Sequence, residues 1–245
     1  PGEVVEGAGS AICVTLAPGI IHNIFDGIER PLETIAEENG AFIPTGVSVD
    51  ALDREKRWEA HMTVKTGDYV SSGSVIAEVP ETKSIIHKVM LPPGMEGRVV
   101  RVEPDGAYTI DQEIAVIEDD NGKHISLTMT QKWPIRIPRP IGKRYPADRP
   151  LVTGQRILDT LFPIAKGGTA ALPGGFGTGK TMTQHQLAKW CDADVIIYIG
   201  CGERGNEMTN VLEEFGELVD PKSGNLLMER TVLIANTSNM PVAAR

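Results

Sequence analysis

The 245-residue sequence is poor in cysteine and in aromatic residues. Its three cysteines, Cys13, Cys191 and Cys201, are too few and too irregularly spaced for a disulfide framework or a zinc site. We therefore expect reduced thiols that act as small apolar side chains in a cytoplasmic protein. Aromatic residues make up 5% of the chain, against 26 glycines and 17 prolines, a composition that favours strands and turns over a helical bundle.

A surplus of positive charge is also missing. Lys and Arg number 24 against 33 Asp and Glu, and no run of basic residues forms a cationic stripe. Because nucleic-acid binding needs such a stripe, we expect no nucleic-acid partner. No signal peptide is visible, and the most apolar stretch, Val195–Ile199, is too short to span a bilayer. Any membrane association is therefore expected only through other subunits.

Residues 61–130 follow a mixed segment, 1–60, and have the pattern of a small all-β domain. Short alternating runs separated by Gly- and Pro-containing turns predict strands at Tyr69–Val70, Val75–Val79, Arg98–Val102 and Glu113–Ile117. The segment resembles the barrel-sandwich layout of lipoyl and biotinyl carrier domains. Carriers need a lysine at a hairpin tip, and the comparable stretch, Val89–Pro92, has none. We therefore expect a structural role without carrier chemistry.

Residues 131–245 begin with a proline-rich stretch, Trp133–Pro140, which predicts a stiff connector. Beyond residue 150, segments typical of strands alternate with segments typical of helices, and this order predicts an α/β fold with a parallel sheet. Asp194–Ile199 is rich in β-branched residues, as is typical of a strand covered on both faces. The predicted strands are Thr169–Leu172, Asp194–Ile199 and Thr231–Ala235, and the predicted helices are Thr181–Trp190 and Asn206–Leu218.

A glycine-rich loop between a predicted strand and a predicted helix matches G-x-x-x-x-G-K-[ST], the P-loop pattern. Glycines allow several backbone N–H groups to point at phosphate oxygens, and the following helix adds its positive end. Lys180 then supplies a mobile cation for ATP or ADP phosphates, and the Thr181 hydroxyl is a ligand for Mg²⁺. The context argues against a glycine-rich turn without function. The expected phosphate-binding residues are Gly174, Gly175, Phe176, Gly177, Thr178, Gly179, Lys180 and Thr181.

The loop Gly200–Glu207 directly follows the predicted strand Asp194–Ile199. Because ligands of open α/β sheets lie at the carboxyl ends of strands, Glu203 is expected on the same edge as Lys180. A carboxylate there can polarise the water that attacks the γ-phosphorus. Taken alone, a Glu–Arg pair after a strand is usually a helix N-terminal charge and a surface ion pair. The neighbouring P-loop favours the catalytic interpretation.

A third loop, Asn236–Pro241, leaves the predicted strand Thr231–Ala235 at the same edge. Its polar groups and Arg245 are candidates to contact phosphate or water. The five histidines are scattered, and none has metal-ligand spacing. His185, on the P-loop helix, is expected to be packed or exposed rather than catalytic.

Long motifs in this sequence resemble the catalytic A subunits of vacuolar- and archaeal-type (V/A-type) rotary ATPases, over essentially all 245 residues. In that family the small β domain is an insertion, the bulge domain, in a RecA/F1-like nucleotide-binding core. The motifs that carry the resemblance are Phe25–Leu32, Asp159–Gly168, Pro173–Thr181, Tyr198–Glu207 and Ile234–Arg245.

The resemblance implies roles for individual residues. It gives phosphate and Mg²⁺ binding to Lys180 and Thr181, and activation of water to Glu203. It has Arg204 organise phosphate and carboxylates, and it places Arg245 near the γ-phosphate. The expected catalytic residues are therefore Lys180, Glu203 and Arg204.

The resemblance also implies partners. The protein would alternate with a non-catalytic B subunit, which supplies an arginine finger, in a cytoplasmic A3B3 hexamer. Central-stalk and peripheral-stalk subunits would couple this V1/A1 sector to H⁺ or Na⁺ flow through a membrane sector.

The predicted organisation is therefore a lead-in segment of the nucleotide-binding domain, 1–60, an inserted β domain, 61–130, and a P-loop core, 131–245. The family's Walker B strand, adenine pocket and helical C-terminal domain are absent from these residues. We expect a piece of a longer protein, which alone hydrolyses ATP negligibly. One alternative is another hexameric P-loop motor, of the export or RecA type; the β insertion and the acidic charge disfavour it. The other alternative is a non-catalytic nucleotide-binding subunit, which the presence of both Lys180 and Glu203 disfavours.

Overall fold

The computed structural model describes residues 2, 4, 7, 9, 11–44, 46–175, 177–240 and 242. Its helices are α1 (Leu32–Asn39), α2 (Arg156–Leu161), α3 (Lys180–Trp190) and α4 (Gly205–Glu217), with a 3₁₀ turn at Leu227–Arg230. Its strands are β1 (Cys13–Leu16), β2 (Ile24–Phe25), β3 (Arg57–Met62), β4 (Tyr69–Ser71), β5 (Val75–Pro80), β6 (Ile86–Met90), β7 (Glu96–Val102), β8 (Gly106–Thr109), β9 (Ala115–Glu118), β10 (His124–Leu127), β11 (Gln131–Pro134), β12 (Pro150–Leu151), β13 (Ile164–Ala165), β14 (Ile196–Glu203) and β15 (Thr231–Thr237).

Strands β3 to β10 form two four-stranded antiparallel sheets, in the orders β6-β5-β3-β8 and β10-β9-β7-β4. The four predicted strands correspond to β4, β5, β7 and β9, while β3, β6, β8 and β10 were not predicted. Alternation is nevertheless clear in β3, where Trp58 and Ala60 are buried and the residues beside them are exposed or partly exposed. Buried side chains from both sheets, among them Ile76 and Val99, belong to one apolar core. Gly97 lets neighbouring backbones approach closely, because a Cβ atom there would lie 2.3 Å from the Glu118 carbonyl oxygen. The predicted all-β character is therefore confirmed; the boundaries 61–130 stay a prediction, and the first strand of the unit already begins at Arg57.

The hairpin of this unit differs from the prediction in one respect. The tip between β5 and β6 does carry a lysine, Lys83, which lies outside the stretch Val89–Pro92. The tip is tied down, since Glu81 accepts hydrogen bonds from the Gly19 and Ile21 N–H groups at 2.7 and 2.9 Å. A docked tip does not suit a swinging carrier arm, so the absence of carrier chemistry stays our prediction.

A three-stranded parallel sheet, in the order β14-β15-β2, forms the second layer of the fold. Helix α4 connects β14 to β15 and buries Met208, Val211 and Phe215 against it. The apolar spacing in the sequence predicted this face, although Leu212 at its margin stays partly exposed. The α/β class with a parallel sheet and an inserted all-β unit is thereby confirmed.

Two predictions about this sheet are wrong. Thr169–Leu172 is not a strand: a strand needs a ladder of backbone hydrogen bonds to a neighbour, and none of the strand pairings among the described residues includes this segment. The second error concerns β14, which is not covered on both faces, because Ile197 and Ile199 are 63% and 59% exposed. Helices α3 and α4 contact the other face of β14, through Tyr198.

The proline-rich connector also begins differently from the prediction. Its first two residues belong to β11, which pairs antiparallel with β1 and so links residues 13–16 to 131–134. Of the three cysteines only Cys191 is buried, as a small apolar side chain would be; Cys13 is partly exposed and Cys201 is exposed. In the described part of the chain, no helix has the length and apolar composition needed to cross a membrane.

Glu29, in the loop after β2, is a half-buried carboxylate with left-handed backbone geometry (φ 64°). Its Oε2 accepts a hydrogen bond from the Thr15 N–H at 2.6 Å. Burial raises the pKa of Glu29 to about 7 and outweighs that hydrogen bond, which lowers it. Since the folded pKa exceeds the unfolded value of about 4.3, the stability that Glu29 contributes is complete below that value and is lost as the pH rises to about 7.

We predict that Glu29→Gln stabilises the protein relative to the wild type at pH 8 and much less at pH 5. The amide keeps an oxygen that accepts from the Thr15 N–H but carries no charge to desolvate. Urea unfolding at both pH values measures the difference. The control is Glu37→Gln, which removes an exposed carboxylate of α1. An equal effect of Glu29→Gln at both pH values contradicts the account.

Candidate phosphate-binding site

The glycine loop enters α3 through a left-handed residue, Gly179, with φ 81°. Gly177 also has positive φ, 76°, a conformation that a side chain disfavours. Gly174 is needed for space, because a Cβ atom there would lie 2.5 Å from the Thr178 hydroxyl. The Thr178 hydroxyl donates a hydrogen bond to the Gly175 carbonyl at 2.9 Å, which closes the loop on itself. The sequence pattern thus corresponds to a tight loop at the N-terminus of α3.

One aromatic contact joins α3 to β14, and a second joins β14 to α4, although no strand directly precedes the described part of the loop. The His185 ring of α3 packs edge-on against Tyr198 of β14, with 5.6 Å between centroids. Tyr198 in turn packs edge-on against Phe215 of α4, with 5.9 Å between centroids. Lys189 and Glu214 form an ion pair between the two helices. His185 is 4% exposed, so it is packed, as the sequence predicted.

These contacts bring the loop and the end of β14 to one cavity of about 530 Å³, a volume suited to a small-molecule ligand. The Lys180 ammonium lies within the loop, where it donates hydrogen bonds to the carbonyls of Gly174 and, at 3.1 Å, Gly175. The lining residues are Gly175, Gly177, Thr178, Gly179, Lys180, Thr181, Met182, Gly202, Glu203, Arg204 and Glu207. The predicted juxtaposition of Lys180 with Glu203 therefore exists.

Glu203 is the last residue of β14, so the strand extends further than predicted. Of the expected loop Gly200–Glu207, only the residues from Arg204 onward lie beyond the strand. Burial raises the pKa of Glu203, and so do the hydrogen bond to Glu207 and the charge of that second carboxylate. Lys180 and Arg204 act in the opposite direction. Two carboxylates that share one cavity in this way favour the approach of a cation or a proton.

Glu207 was not among the expected site residues. It lies in the first turn of α4, and its Oε2 is 3.5 Å from the Thr181 hydroxyl oxygen. An acidic residue in a first helical turn is commonly explained by the helix dipole alone. The sequence signals for Glu207 were its place in the loop Gly200–Glu207 and its distance of four residues from Glu203, which put it near the expected end of the strand.

The remaining predicted residues are distributed as follows. Arg204 lines the cavity and is the N-terminal cap residue of α4. Gly174 belongs to the loop and contacts Lys180 through its carbonyl. Phe176 and Arg245 lie outside the described residues, so their predicted roles stay predictions.

The third loop contributes differently from the expectation. Asn236 ends up inside β15, 4% exposed, and its side-chain oxygen accepts a hydrogen bond from the Gly27 N–H at 2.7 Å. Thr237 and Asn239 are hydrogen-bonded to each other at 2.5 Å. The hydrogen bonds described for the segment Asn236–Pro241 thus all go to protein atoms rather than leaving its polar groups open to the cavity.

A larger cavity, of about 770 Å³, lies between the β5–β6 hairpin and the segment before β2. Its two lysines are already engaged: Lys56 lies 3.9 Å from the Trp58 ring centroid, and Lys83 faces Glu229 at 3.8 Å. Its described lining contains no glycine loop and no helix N-terminus. The smaller cavity, which has both, is therefore the better phosphate site.

Comparison with known proteins agrees with this geometry. Residues 49–136 match the family model described as the ATP synthase alpha/beta subunit barrel-sandwich domain. Residues 154–245 match the nucleotide-binding domain of the ATP synthase alpha/beta family. An ATPase from a bacterial type III secretion system is similar to 51% of this chain and 35% of its own, with 23% identity and a TM-score of 0.37, a likeness on which no argument rests.

Curated relatives match the whole chain, and two of them serve as examples. The V-type ATP synthase alpha chain of Halothermothrix orenii is 61% identical over 245 residues, which are 100% of this chain and 42% of the relative. The A subunit of the A-type ATP synthase of Methanopyrus kandleri is 58% identical over 245 residues, 100% of this chain and 41% of the relative. The chain thus spans about two fifths of the length of the relatives it matches. The chain belongs to the family of the V-type ATP synthase alpha chains and A-type ATP synthase A subunits.

Proposed function

We propose that this chain carries the catalytic phosphate site of a rotary V/A-type ATPase or ATP synthase, which couples ATP hydrolysis or synthesis to ion transport. The observation that carries the proposal is the cavity in which the glycine loop and Glu203 meet. The match of residues 49–136 to the barrel-sandwich model favours this family over other hexameric P-loop motors.

The described residues fit a magnesium nucleotide. Mg²⁺ prefers oxygen ligands and keeps several waters, so one or two protein oxygens suffice. The Thr181 hydroxyl supplies such an oxygen, and Glu207, 3.5 Å away, supplies a carboxylate next to it. Burial and the neighbouring carboxylate of Glu207 raise the pKa of Glu203, and a bound cation would stabilise the ionised form of both carboxylates. When bound, Mg²⁺ would neutralise charge on the phosphates of the nucleotide.

Each residue of the site then has a distinct task. The loop N–H groups and the N-terminus of α3 bind phosphate oxygens. The Lys180 ammonium, which donates hydrogen bonds to two loop carbonyls in this structure, donates instead to the β- and γ-phosphates when nucleotide is bound. Glu203 accepts a hydrogen bond from the attacking water and orients it. Arg204, whose charge lowers the pKa of Glu203, helps to keep that carboxylate ionised. For Phe176 we keep the phosphate-binding role that the P-loop pattern predicts, and for Arg245 the position near the γ-phosphate that the family resemblance implies.

The assembly is part of the proposal. We propose an alternating A3B3 hexamer in the cytoplasmic V1/A1 sector, in which the B subunit contributes an arginine and stalk subunits transmit rotation. An arginine finger contributes about 10³–10⁵ in rate to phosphoryl transfer. Residues 1–60, 61–130 and 131–245 are the proposed lead-in segment, bulge insertion and nucleotide-binding core.

We predict that Lys180→Ala in the full-length protein lowers the affinity for Mg·ATP by at least about tenfold, because the variant lacks the mobile cation of the loop. Equilibrium binding measures the effect. Lys222→Ala, which removes an exposed lysine in the turn after α4, outside the cavity, should bind normally. Wild-type affinity in Lys180→Ala contradicts the P-loop assignment.

We predict that Glu203→Gln retains nucleotide binding and loses at least about 10²-fold in turnover, because an amide is a poor acceptor for the proton of water. Single-turnover hydrolysis in the assembled complex measures this rate. Glu213→Gln, an exposed carboxylate on α4, is the control. An unchanged rate in Glu203→Gln assigns the role to another group, with Glu207 the first candidate.

We predict that Glu207→Gln moves the acid limb of the pH–rate profile to lower pH. Glu203 is active when ionised, so turnover falls as the pH drops through its pKa. That pKa is raised in part by Glu207, and it should fall when the second carboxylate becomes an amide. A limb at the wild-type position, whatever the height of the profile, contradicts the coupling.

A further inference from the structure

The loop that follows β15 connects the two strands that flank it. Strand β15 lies between β14 and β2, and all three run parallel, so their carboxyl ends share one edge. On one side, Asn236 Oδ1 accepts a hydrogen bond from the Gly27 N–H, at 2.7 Å, in the loop after β2. On the other side, the Ser238 N–H donates to the Glu203 carbonyl at 2.9 Å. A continuous hydrogen-bonded path thus crosses the edge at which the phosphate cavity lies.

The loop after β2 is a firm anchor for this path. Asp26 is 2% exposed, and its Oδ1 accepts from the N–H groups of Ile28 and Arg30 at 3.1 and 2.9 Å. Its Oδ2 pairs with the Arg30 guanidinium at 2.7 Å. The Gly27 N–H, held inside this bonded turn, has a fixed direction, and Asn236 is bonded to it.

Glu203 needs such support because its strand ends irregularly. The pairing register between β14 and β15 shifts between Cys201 and Glu203, so that Gly202 has no partner in the ladder. After this bulge, Glu203 pairs with Thr237, which lies between Asn236 and Ser238. The backbone position of Glu203 is therefore set by the end of β15 rather than by the regular ladder of its own strand.

We propose that Asn236 is a positioning residue for Glu203. By bonding to Gly27, it fixes the end of β15, and Ser238 then fixes the carbonyl of Glu203 and the direction of its carboxylate into the cavity. The inference rests on the proposed function, since it assigns Asn236 to the reaction that Glu203 serves. An apolar residue at this buried position would leave the Gly27 N–H without its acceptor and release the end of the strand.

The test is Asn236→Ala in the full-length protein within the assembled complex. Misplacement of a reacting group by about 1 Å costs up to about 10²-fold in rate. We expect kcat to fall about 10- to 100-fold, while the Kd for Mg·ATP stays within about twofold, because the glycine loop is untouched. The control is Asn23→Ala, which removes a side-chain hydrogen bond to Gly19 at the opposite edge of the same sheet. This variant should keep the wild-type kcat, and thermal unfolding of both variants measures their folding.

A double variant separates positioning from a general loss of structure. If Asn236 acts through Glu203, then Asn236→Ala causes no further loss of single-turnover rate in the Glu203→Gln background. A further loss of the same size in that background overturns the proposal. So does an equal loss of kcat in Asn23→Ala.

The outcomes also distinguish this inference from the proposed function. If Glu203→Gln abolishes turnover and Asn236→Ala leaves kcat unchanged, the positioning role fails alone. If Glu203→Gln has no effect, the catalytic assignment fails and the positioning role with it. Should Asn236→Ala not assemble, Asn236→Gln keeps a polar amide but moves the acceptor oxygen by one methylene group, and the same selective loss of kcat is expected. A wild-type kcat in Asn236→Gln then overturns the proposal.

Discussion

The site depends on the packing of three rings, His185 of α3, Tyr198 of β14 and Phe215 of α4. Each edge-to-face contact contributes about 0.5–1.5 kcal/mol beyond the burial of its apolar surface, and Phe215 is fully buried. Because no strand leads into the described part of the glycine loop, this packing, together with the ion pair between Lys189 and Glu214, sets the distance between α3 and β14. The N-terminus of α3 therefore reaches the same cavity as the carboxyl end of β14.

The arrangement also concentrates charge. Burial, with the charges of Glu203 and Glu207, raises the pKa of Tyr198 to about 12, so the ring that supports the site stays neutral. Glu203 lies between opposing influences: burial and Glu207 raise its pKa, and Lys180 and Arg204 lower it. A phosphate chain and a cation that enter the cavity change this balance, because the first adds negative charge next to Lys180 and the second compensates the carboxylates. The ionisation of Glu203 is thus linked to the occupancy of the loop.

The sequence predicted those parts of the site that depend on local chemistry. Lys180 and Thr181 belong to a loop whose glycines are required by local backbone conformation. The rule that parallel strands end at one edge places Glu203 beside them; Glu203 does lie in the same cavity, although the strand expected before the loop is not formed. The sequence could not predict what depends on distant partners. The Thr169–Leu172 segment has the composition of a strand but takes part in no strand pairing among the described residues. Ile197 and Ile199 have the apolar, β-branched side chains typical of a covered sheet face, but they are exposed. The hydrogen bond between the Gly27 N–H and Asn236 joins residues 209 positions apart, so no local sequence pattern predicts it.

The central claim is that the glycine loop and the end of β14 form one phosphate site. The most direct measurement is an amide NMR titration of the chain with magnesium pyrophosphate, which follows the signals of Gly177, Gly179 and Lys180 beside those of Glu203 and Glu207. The account predicts that both groups of signals shift along a single binding curve with one Kd, while signals of the antiparallel sheets, such as that of Val99, do not move. Shifts of the loop without shifts at Glu203 and Glu207, or two curves with different Kd values, would contradict it.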